Sequence, residues 1–464
     1  MKIRNAVLLL IQVFFLNNFS HSQSLDTSKE KPYEATARAI VVQGLSTCKA
    51  YRFLKDLTTN VGARLSGSPQ AEKAVNWGKQ TMEDLGFDHV RLEPVTVPHW
   101  VRGPVEEASI VLPDGKQIPI SICALGGSIA TPVEGLTAEV VEVKSFDELK
   151  KIHEEAKGKI IFFNRPFDQT KFSTFEAYGG AVEQRGQGAM EAAKAGGVAA
   201  LVRSMTSRLD DVPHTGGMRY ADTIPKVPAA ALSTVAANML DSILRANEHV
   251  KVSLRLTCQT LPDVESANVV GELEGSEKPE EIIVIGGHLD SWDKGQGAHD
   301  DGAGVVQSME ALRILKELGL KPKRTIRAVL FINEENGLAG GKAYAAKDRP
   351  GEKHIAAIET DAGGFSPRGF GVQADSMMIE KIARWSYLLH PIDADRIQKG
   401  GGGADISELG KKGVPQIGLR PEGQRYFDYH HSNNDTIDKV NERELELGAI
   451  ALATLAYVLA QEGL

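Results

Sequence analysis

The apolar run at residues 282–285, together with the polar stretch after it, constrains the fold more than any other feature. The run has the length and composition of a buried strand, and residues 305–318 have the spacing of an amphipathic helix. The stretch between them, residues 286–304, contains His288 and an Asp-Asp pair beginning at Asp300. Because open α/β sheets form their sites at the carboxyl ends of strands, this stretch is either a metal-binding loop or a polar turn.

The same alternation of strand and helix continues to the end of the chain. Further strands are predicted at 325–332, 355–359, 370–372 and 416–419, and further helices at 338–347, 376–389 and 442–461. Strands that alternate with helices indicate an α/β fold with a largely parallel mixed sheet and helices on both faces.

Residues 105–262 have a different pattern, in which strand signals dominate. Two helices are predicted within them, at 189–195 and at 234–247, the second with Ser233 as its N-cap. We therefore predict a β-rich insert at 105–262 that divides the main domain into residues 23–104 and 263–464.

Composition excludes some classes of protein. The chain has 464 residues and a formal net charge of −8, which argues against nucleic acid as a partner. Its three cysteines show no C-x-x-C spacing, so a cysteine-based zinc site is not indicated, although a bridge between Cys123 and Cys258 is possible.

The N-terminus has the layout of a secretory signal peptide. Lys2 and Arg4 precede the apolar run 6–16, and more polar residues follow it. We predict a signal peptide at 1–22 and a secreted or periplasmic protein; the alternative is a short N-terminal anchor. No stable membrane span is predicted, because the apolar run 447–460 is too short and fits a buried helix better.

Acidic and imidazole side chains recur in four loops of the α/β region, three of them directly after predicted strands. They are His288, Asp290, Asp300, Glu334, Glu335, Asp361, His430, His431 and Asp435. Each pair alone is more often a solvated turn or a packing contact. Carboxylates that converge on one edge repel each other unless cations lie between them, so the repetition favours a metal centre.

This set resembles the di-zinc aminopeptidase and glutamate carboxypeptidase superfamily. The matching motifs are Gly287-His288-x-Asp290-Ser291, Asp300-Asp301-Gly302, Glu334-Glu335-x-Gly337, Glu359-x-Asp361 and His431-x-x-x-Asp435-Thr436. Trp292 and Gly295-Gln296-Gly297 point to one carboxypeptidase branch. The resemblance implies the zinc exopeptidase fold, and it implies that the insert is similar to a protease-associated domain.

The resemblance also implies two zinc ions per chain. One would be held by His288, Asp300 and Asp361, and the other by Asp300, Glu335 and His431, so that Asp300 bridges the two. The peptide bond after the bridging residue is cis in the superfamily, which corresponds here to Asp300-Asp301.

Glu334 would be the general base, and Asp290 would fix the orientation of His288. Elementary geometry agrees, because successive side chains in extended backbone diverge. Glu335 can therefore ligate a metal ion while Glu334 transfers a proton.

The sequence pattern identifies candidate substrate-binding residues less specifically than it identifies the candidate metal ligands. Gly402 and Asp405 follow a glycine-rich run that is either a linker or a loop over the cleft whose N–H groups meet a substrate carboxylate. Trp292 and His430 are candidates for pocket walls, and each could equally be a core residue.

These features predict a zinc-dependent exopeptidase that cleaves short peptides. The resemblance narrows the substrates to dipeptides with free termini and implies a homodimer. Three alternatives stay open: a broad-specificity aminopeptidase of the same superfamily, a non-catalytic receptor-like binding protein that would show lost ligands, and a single-zinc glutaminyl cyclase.

Overall fold

The computed structural model describes residues 31–464, so the predicted signal peptide at 1–22 lies outside the described residues. The strands are β1 (Asp88–Val101), β2 (Glu106–Val111), β3 (Gln117–Pro119), β4 (Ile122–Ala124), β5 (Leu136–Val143), β6 (Ile160–Phe163), β7 (Ala199–Arg203), β8 (Ala229–Leu232), β9 (Lys251–Leu256), β10 (Gln259–Leu273), β11 (Lys278–His288), β12 (Arg324–Phe331), β13 (Lys353–Glu359), β14 (Pro367–Gln373), β15 (Arg396–Lys399) and β16 (Gln416–Pro421).

The α-helices are α1 (Glu34–Thr47), α2 (Lys49–Asp56), α3 (Pro69–Asp84), α4 (Phe146–Lys151), α5 (His153–Ala156), α6 (Thr174–Ala181), α7 (Glu183–Lys194), α8 (Thr234–Ala246), α9 (Ala303–Glu317), α10 (Ala339–Ala346), α11 (Ser376–Ala383), α12 (Ser407–Lys411) and α13 (Glu442–Glu462). α11 ends six residues before its predicted end at 389, and a 3₁₀ segment that contains Pro391 follows it.

The first sheet has the strand order β1-β10-β12-β11-β13-β16-β14-β15. Its four central strands, β12, β11, β13 and β16, are mutually parallel, and antiparallel pairs flank them. Alternate residues of β11 pack on opposite faces: Ile283 and Ile285 belong to the core that contains α9 and α13, whereas Ile282 and Val284 pack with α10 and α12. The predicted mixed α/β sheet, covered on both faces, is confirmed.

β11 is longer than predicted and includes residues 286–288, which the sequence analysis assigned to the loop. Glycine at 287 explains the difference. A Cβ atom at Gly287 would lie 2.2 Å from Oδ2 of Asp301, which itself accepts a hydrogen bond from the main-chain N–H of His288. The strand therefore continues to His288 because Gly287 lets the carboxylate of Asp301 approach the backbone.

The second sheet has the order β3-β2-β9-β5-β6-β7-β8-β4 and takes its strands from residues 106–256. Ser233 caps α8 as predicted, because its side chain accepts a hydrogen bond from the N–H of Ala236. The segment holds more helix than predicted: α4, α5 and α6 accompany the two helices expected there. These three helices are only four to eight residues long, which is too short for apolar periodicity to predict them from the sequence.

The C-terminal helix α13 is long and apolar enough to span a membrane, but 83% of its most apolar window is buried inside the protein. It packs against α9 and α1. The apolar run 447–460 is therefore part of a buried helix, as predicted. All three cysteines are unpaired, so the possible bridge between Cys123 and Cys258 is not formed.

Glu446 is one of several polar side chains that are buried where α13 meets α9, and it lies near the buried Glu310. Its Oε2 accepts a hydrogen bond from the N–H of Ala50 at 3.1 Å, and its Oε1 has no hydrogen-bond partner among the described residues. Burial, followed by the negative charge of Glu310, raises the pKa of Glu446 to about 9. The folded protein therefore keeps a proton on Glu446 that the unfolded chain releases above the ordinary pKa of 4.5.

This raised pKa predicts a pH-dependent effect of Glu446→Gln. An acid whose pKa is raised by folding lowers the free energy of unfolding as the pH rises from 4.5 towards 9. Glutamine keeps an acceptor for Ala50 and cannot ionise, so the variant should gain more in melting temperature at pH 8 than at pH 5. Thermal unfolding of both proteins at the two pH values measures this, and an equal gain at both would contradict it.

Candidate metal centre

The predicted ligands meet at the carboxyl edge of the first sheet. His288 ends β11, Asp361 follows β13 and Glu335 follows β12, while Asp300 precedes α9 and His431 comes from the loop after β16. Adjacent parallel strands deliver these side chains to one edge. Three overlapping groups of side chains have the spacing of a metal site, although none coincides with a predicted ligand set: Asp300 with His430 and His431, His288 with Asp301 and Asp361, and His288 with Asp300 and Glu335.

The first predicted ligand set is His288, Asp300 and Asp361. Nε2 of His288 lies 3.4 Å from Oδ1 of Asp300 and 3.8 Å from Oδ1 of Asp361. Two ligand atoms on one tetrahedral zinc ion stand about 3.3 Å apart at ordinary zinc–ligand bond lengths. The first distance matches that separation, and the second is slightly wider.

The second predicted set is Asp300, Glu335 and His431. Nε2 of His431 lies 3.3 Å from Oδ2 of Asp300 and 3.1 Å from Oε2 of Glu335. Asp300 thus turns one oxygen towards each histidine. The Asp300-Asp301 peptide bond is cis, as the resemblance to the superfamily implied.

The donor set fits cations. Oδ2 of Asp300 is buried and has no hydrogen-bond partner among the described residues, although it faces two imidazoles. Burial raises the pKa of both Asp300 and Glu335. The pKa of His288 is also raised: burial opposes its charged form, but hydrogen bonds to Asp300 and Asp361 outweigh that effect. The raised pKa values mean that these buried groups bind protons when no other positive charge is near them. A cation could take the place of those protons, and imidazole and carboxylate are ligands that zinc prefers.

Glu334 is placed differently from its neighbour Glu335. It lines a cleft of about 810 Å³ together with Asp300 and Asp361. Its main-chain N–H donates to Oδ1 of Asp290 at 3.1 Å, and no hydrogen bond from residues 31–464 reaches its carboxylate. Burial raises the pKa of Glu334 to about 8. A carboxylate that faces a cleft with its pKa near neutrality can exchange protons there.

The carboxylate of Asp290 makes no hydrogen bond to the ring of His288. The main-chain carbonyl of Asp290 lies 3.0 Å from Nδ1 of His288, whereas Oδ1 of Asp290 is 4.0 Å away. The carboxylate accepts instead from the hydroxyl of Ser66 and from the N–H of Glu334. The main-chain carbonyl of Asp290, rather than its carboxylate, therefore fixes the orientation of the His288 ring. The carboxylate instead positions the backbone of Glu334.

Asp435 holds the segment that carries Asp300. Its two carboxylate oxygens accept from the N–H groups of His299 and Asp300, at 2.7 and 3.1 Å. The ring of His299 is fixed as well, because Nδ1 accepts from the N–H of Gly364 and Nε2 lies near the carbonyl of Lys439. His299 is therefore a packing residue, and burial lowers its pKa to about 3.

Arg64 is a buried cation that the sequence analysis missed. It is fully buried, and its guanidinium donates to the main-chain carbonyls of Leu289, Gln296 and Gly297. It therefore clamps both ends of the stretch that follows β11. Its place in the turn-rich segment 62–69 was visible in the sequence, but its long-range partners were not.

Two of the four candidate substrate-binding residues are buried outside the cleft. Trp292 and Asp405 are only 2% and 1% exposed, and neither lines the cleft. The main-chain N–H of Trp292 donates to Oε1 of Glu335, and its ring packs edge-on against His431. His430 does line the cleft, stacked on His431, and Gly402 lines a neighbouring cavity that also reaches Asp361.

Several cleft residues come from positions that the sequence analysis did not select. The hydroxyl of Tyr426 lies 3.4 Å from Oδ1 of Asp361. Arg185, on α7, places Nη1 3.2 Å from Nδ1 of His431, and the carbonyl of Thr215 lies 3.3 Å from the same nitrogen. Arg185 and Thr215 belong to the segment that builds the second sheet, so both sheets contribute to this site.

Comparison with known proteins assigns a class to this fold and site: the chain is a zinc-dependent exopeptidase. The model of peptidase family M28 matches residues 268–456, and the chain belongs to that family.

Relatives over nearly the whole chain agree with this assignment. Carboxypeptidase Q from Mus musculus is 39% identical over 92% of this chain and 90% of its own length. The crystal structure of an M28 peptidase precursor from Shewanella amazonensis has a TM-score of 0.88 at 37% identity, covering 92% of this chain and 97% of the other. A zinc aminopeptidase from Bacillus subtilis shares the fold, with a TM-score of 0.65 at 19% identity, covering 89% of this chain and 95% of its own.

Proposed function

We propose that the protein hydrolyses dipeptides with free termini, using two zinc ions and Glu334 as general base. The observation that carries the proposal is that Glu334 borders one cleft together with members of both ligand sets, namely Asp300, Asp361, Glu335 and His431, while His288 lies buried directly behind Asp300. Bound zinc supplies a water of lowered pKa and polarises a carbonyl. The carboxylate of Glu334 takes the proton from the attacking water and returns it to the departing amine.

Arg185 supports the choice of substrates with a free carboxylate. Its guanidinium is largely buried at the cleft, its Nε has no hydrogen-bond partner, and no carboxylate of residues 31–464 pairs with it. Nη1 of Arg185 donates to the carbonyl of Thr215 at 3.5 Å and lies 3.2 Å from Nδ1 of His431. If Nε2 of His431 ligated a metal ion, Nδ1 would carry a proton directed at the same carbonyl. The Nε–H of Arg185, which has no partner among the described residues, would then be available to a substrate carboxylate.

We also propose a domain organisation, a location and an oligomeric state for the protein. Residues 105–262 are proposed as a protease-associated-like insert, because the second sheet takes its strands from 106–256. Secretion or periplasmic export is supported by the pattern at residues 1–22, and a homodimer by the family resemblance. The remaining alternative is a broad-specificity aminopeptidase, since a zinc aminopeptidase shares the fold.

A small substrate panel tests the proposal. We expect a leucine dipeptide to be cleaved much faster than leucine amide or a dipeptide with a blocked carboxylate. Chelator should abolish the activity and added Zn²⁺ should restore it. Leucine amide cleaved as fast as the dipeptide would establish the aminopeptidase alternative instead.

Replacement of Arg185 by glutamine should lower kcat/KM for the dipeptide by about 10- to 100-fold, which is the value of one charge-assisted hydrogen bond. Leucine amide, which lacks the carboxylate, should be almost unaffected. Arg219→Gln is the matched control, because Arg219 lines the same cleft but is exposed. Equal losses for both substrates in Arg185→Gln would mean that the guanidinium supports the metal centre rather than the substrate.

A further inference from the structure

Two residues of the second sheet's segment, His214 and Thr215, hold the loop that carries the metal ligand His431. Nδ1 of His214 lies 2.7 Å from the main-chain carbonyl of His430. The N–H of Thr215 donates to the carbonyl of His431 at 2.9 Å, and Nδ1 of His431 lies 3.3 Å from the carbonyl of Thr215. Three contacts therefore fix two consecutive residues.

His214 is anchored to the second sheet. Its N–H donates to the hydroxyl of Ser204, which in turn donates to the carbonyl of Leu232 at the end of β8. The ring is 2% exposed, and burial lowers its pKa to about 4, so it is neutral. Because a carbonyl can only accept, Nδ1 carries the proton, and Nε2 has no hydrogen-bond partner among the described residues. The single bond to His430 is therefore the polar interaction that this buried ring makes.

The loop needs such a restraint. His431 has a φ of +60°, a backbone conformation that residues other than glycine rarely adopt. Such a conformation persists only where the surroundings determine it. The rings of His430 and His431 are stacked with centroids 3.5 Å apart, so a shift of the backbone at His430 would move the imidazole of His431 away from Asp300 and Glu335.

We propose that His214 is a positioning residue of the metal centre: by holding the carbonyl of His430, it keeps Nε2 of His431 directed at Asp300 and Glu335. This inference rests on the proposed pair of zinc ions. It gives the segment that builds the second sheet a role in metal binding as well as in shaping the cleft. Replacing a residue that supports a metal ligand typically lowers the affinity for the metal ion by about 10- to 100-fold.

Three variants of His214 test the proposal through zinc affinity. His214→Leu removes the donor, His214→Gln moves it along the side chain, and His214→Asn keeps a donor at the position of Nδ1. Zinc is titrated into the chelator-treated full chain against a chromophoric chelator. We expect leucine and glutamine to weaken one of two zinc equivalents by about 10- to 100-fold and to leave the other unchanged, and asparagine to retain most of the affinity.

His354→Leu is the control, since His354 is a partly buried histidine whose Nε2 contacts Tyr344 on the other side of the sheet from α9. It should bind both equivalents as the wild type does. A folded His214→Gln with wild-type affinity for both equivalents would overturn the proposal. Asparagine as weak as glutamine would also overturn it, because ring packing would then matter rather than the donor. A wild type that binds two zinc ions but cleaves no peptide would refute the proposed function and leave this inference intact.

Discussion

Asp300→Asn is expected to yield a folded protein that holds neither zinc ion tightly. One carboxylate serves both ligand sets, with Oδ1 3.4 Å from Nε2 of His288 and Oδ2 3.3 Å from Nε2 of His431. Asparagine has one oxygen, and its amide nitrogen cannot ligate. The variant also removes one of three negative charges set against two divalent cations. Zinc affinity and turnover should each fall by more than roughly 100-fold, the upper range for replacing a residue that only supports a ligand.

Zinc content after dialysis, together with turnover of a leucine dipeptide, measures this effect. Asp290→Asn is the matched control, because Asp290 is a fully buried carboxylate in the same loop that belongs to neither ligand set. It should keep both zinc ions, because its carboxylate accepts from Ser66 and from the N–H of Glu334 rather than from a predicted ligand. If Asp300→Asn lost only one equivalent, Asp300 would not bridge the two sites.

The convergence of most candidate ligands could be predicted from the sequence because they lie next to regular elements. His288, Asp300, Glu335 and Asp361 border strands or a helix whose apolar runs are evident, and parallel strands send their carboxyl ends to one edge. The local pattern thus indicated the edge of the sheet at which these side chains meet, whereas the assignment of ligands to two ions came from the family resemblance. His431 was selected with less support from the pattern, since no strand immediately precedes its loop.

The substrate-facing residues could not be predicted in the same way. Trp292 and Asp405 are in loops beside the site, and whether a loop side chain faces a cleft or the core depends on packing that the local sequence does not encode. Arg185 and His214 lie over 200 residues from the His430 loop that they approach. A lone arginine or histidine within residues 105–262 has no periodic signal, so only its three-dimensional contact with the His430 loop makes it a candidate for a role at the site.

Glu334→Gln should bind two zinc ions as the wild type does but lose turnover by about 10²- to 10⁴-fold. Its carboxylate faces the cleft, is outside both ligand sets and has no hydrogen-bond partner in residues 31–464, so glutamine should disturb neither zinc nor fold. Glu335→Gln, one residue further on, is the matched control: Oε2 of Glu335 faces His431, so this change should cost zinc as well as turnover. Zinc content, kcat and KM of the two variants separate the roles. Near-normal turnover in Glu334→Gln would show that another group accepts the proton, and loss of zinc there would make Glu334 a ligand.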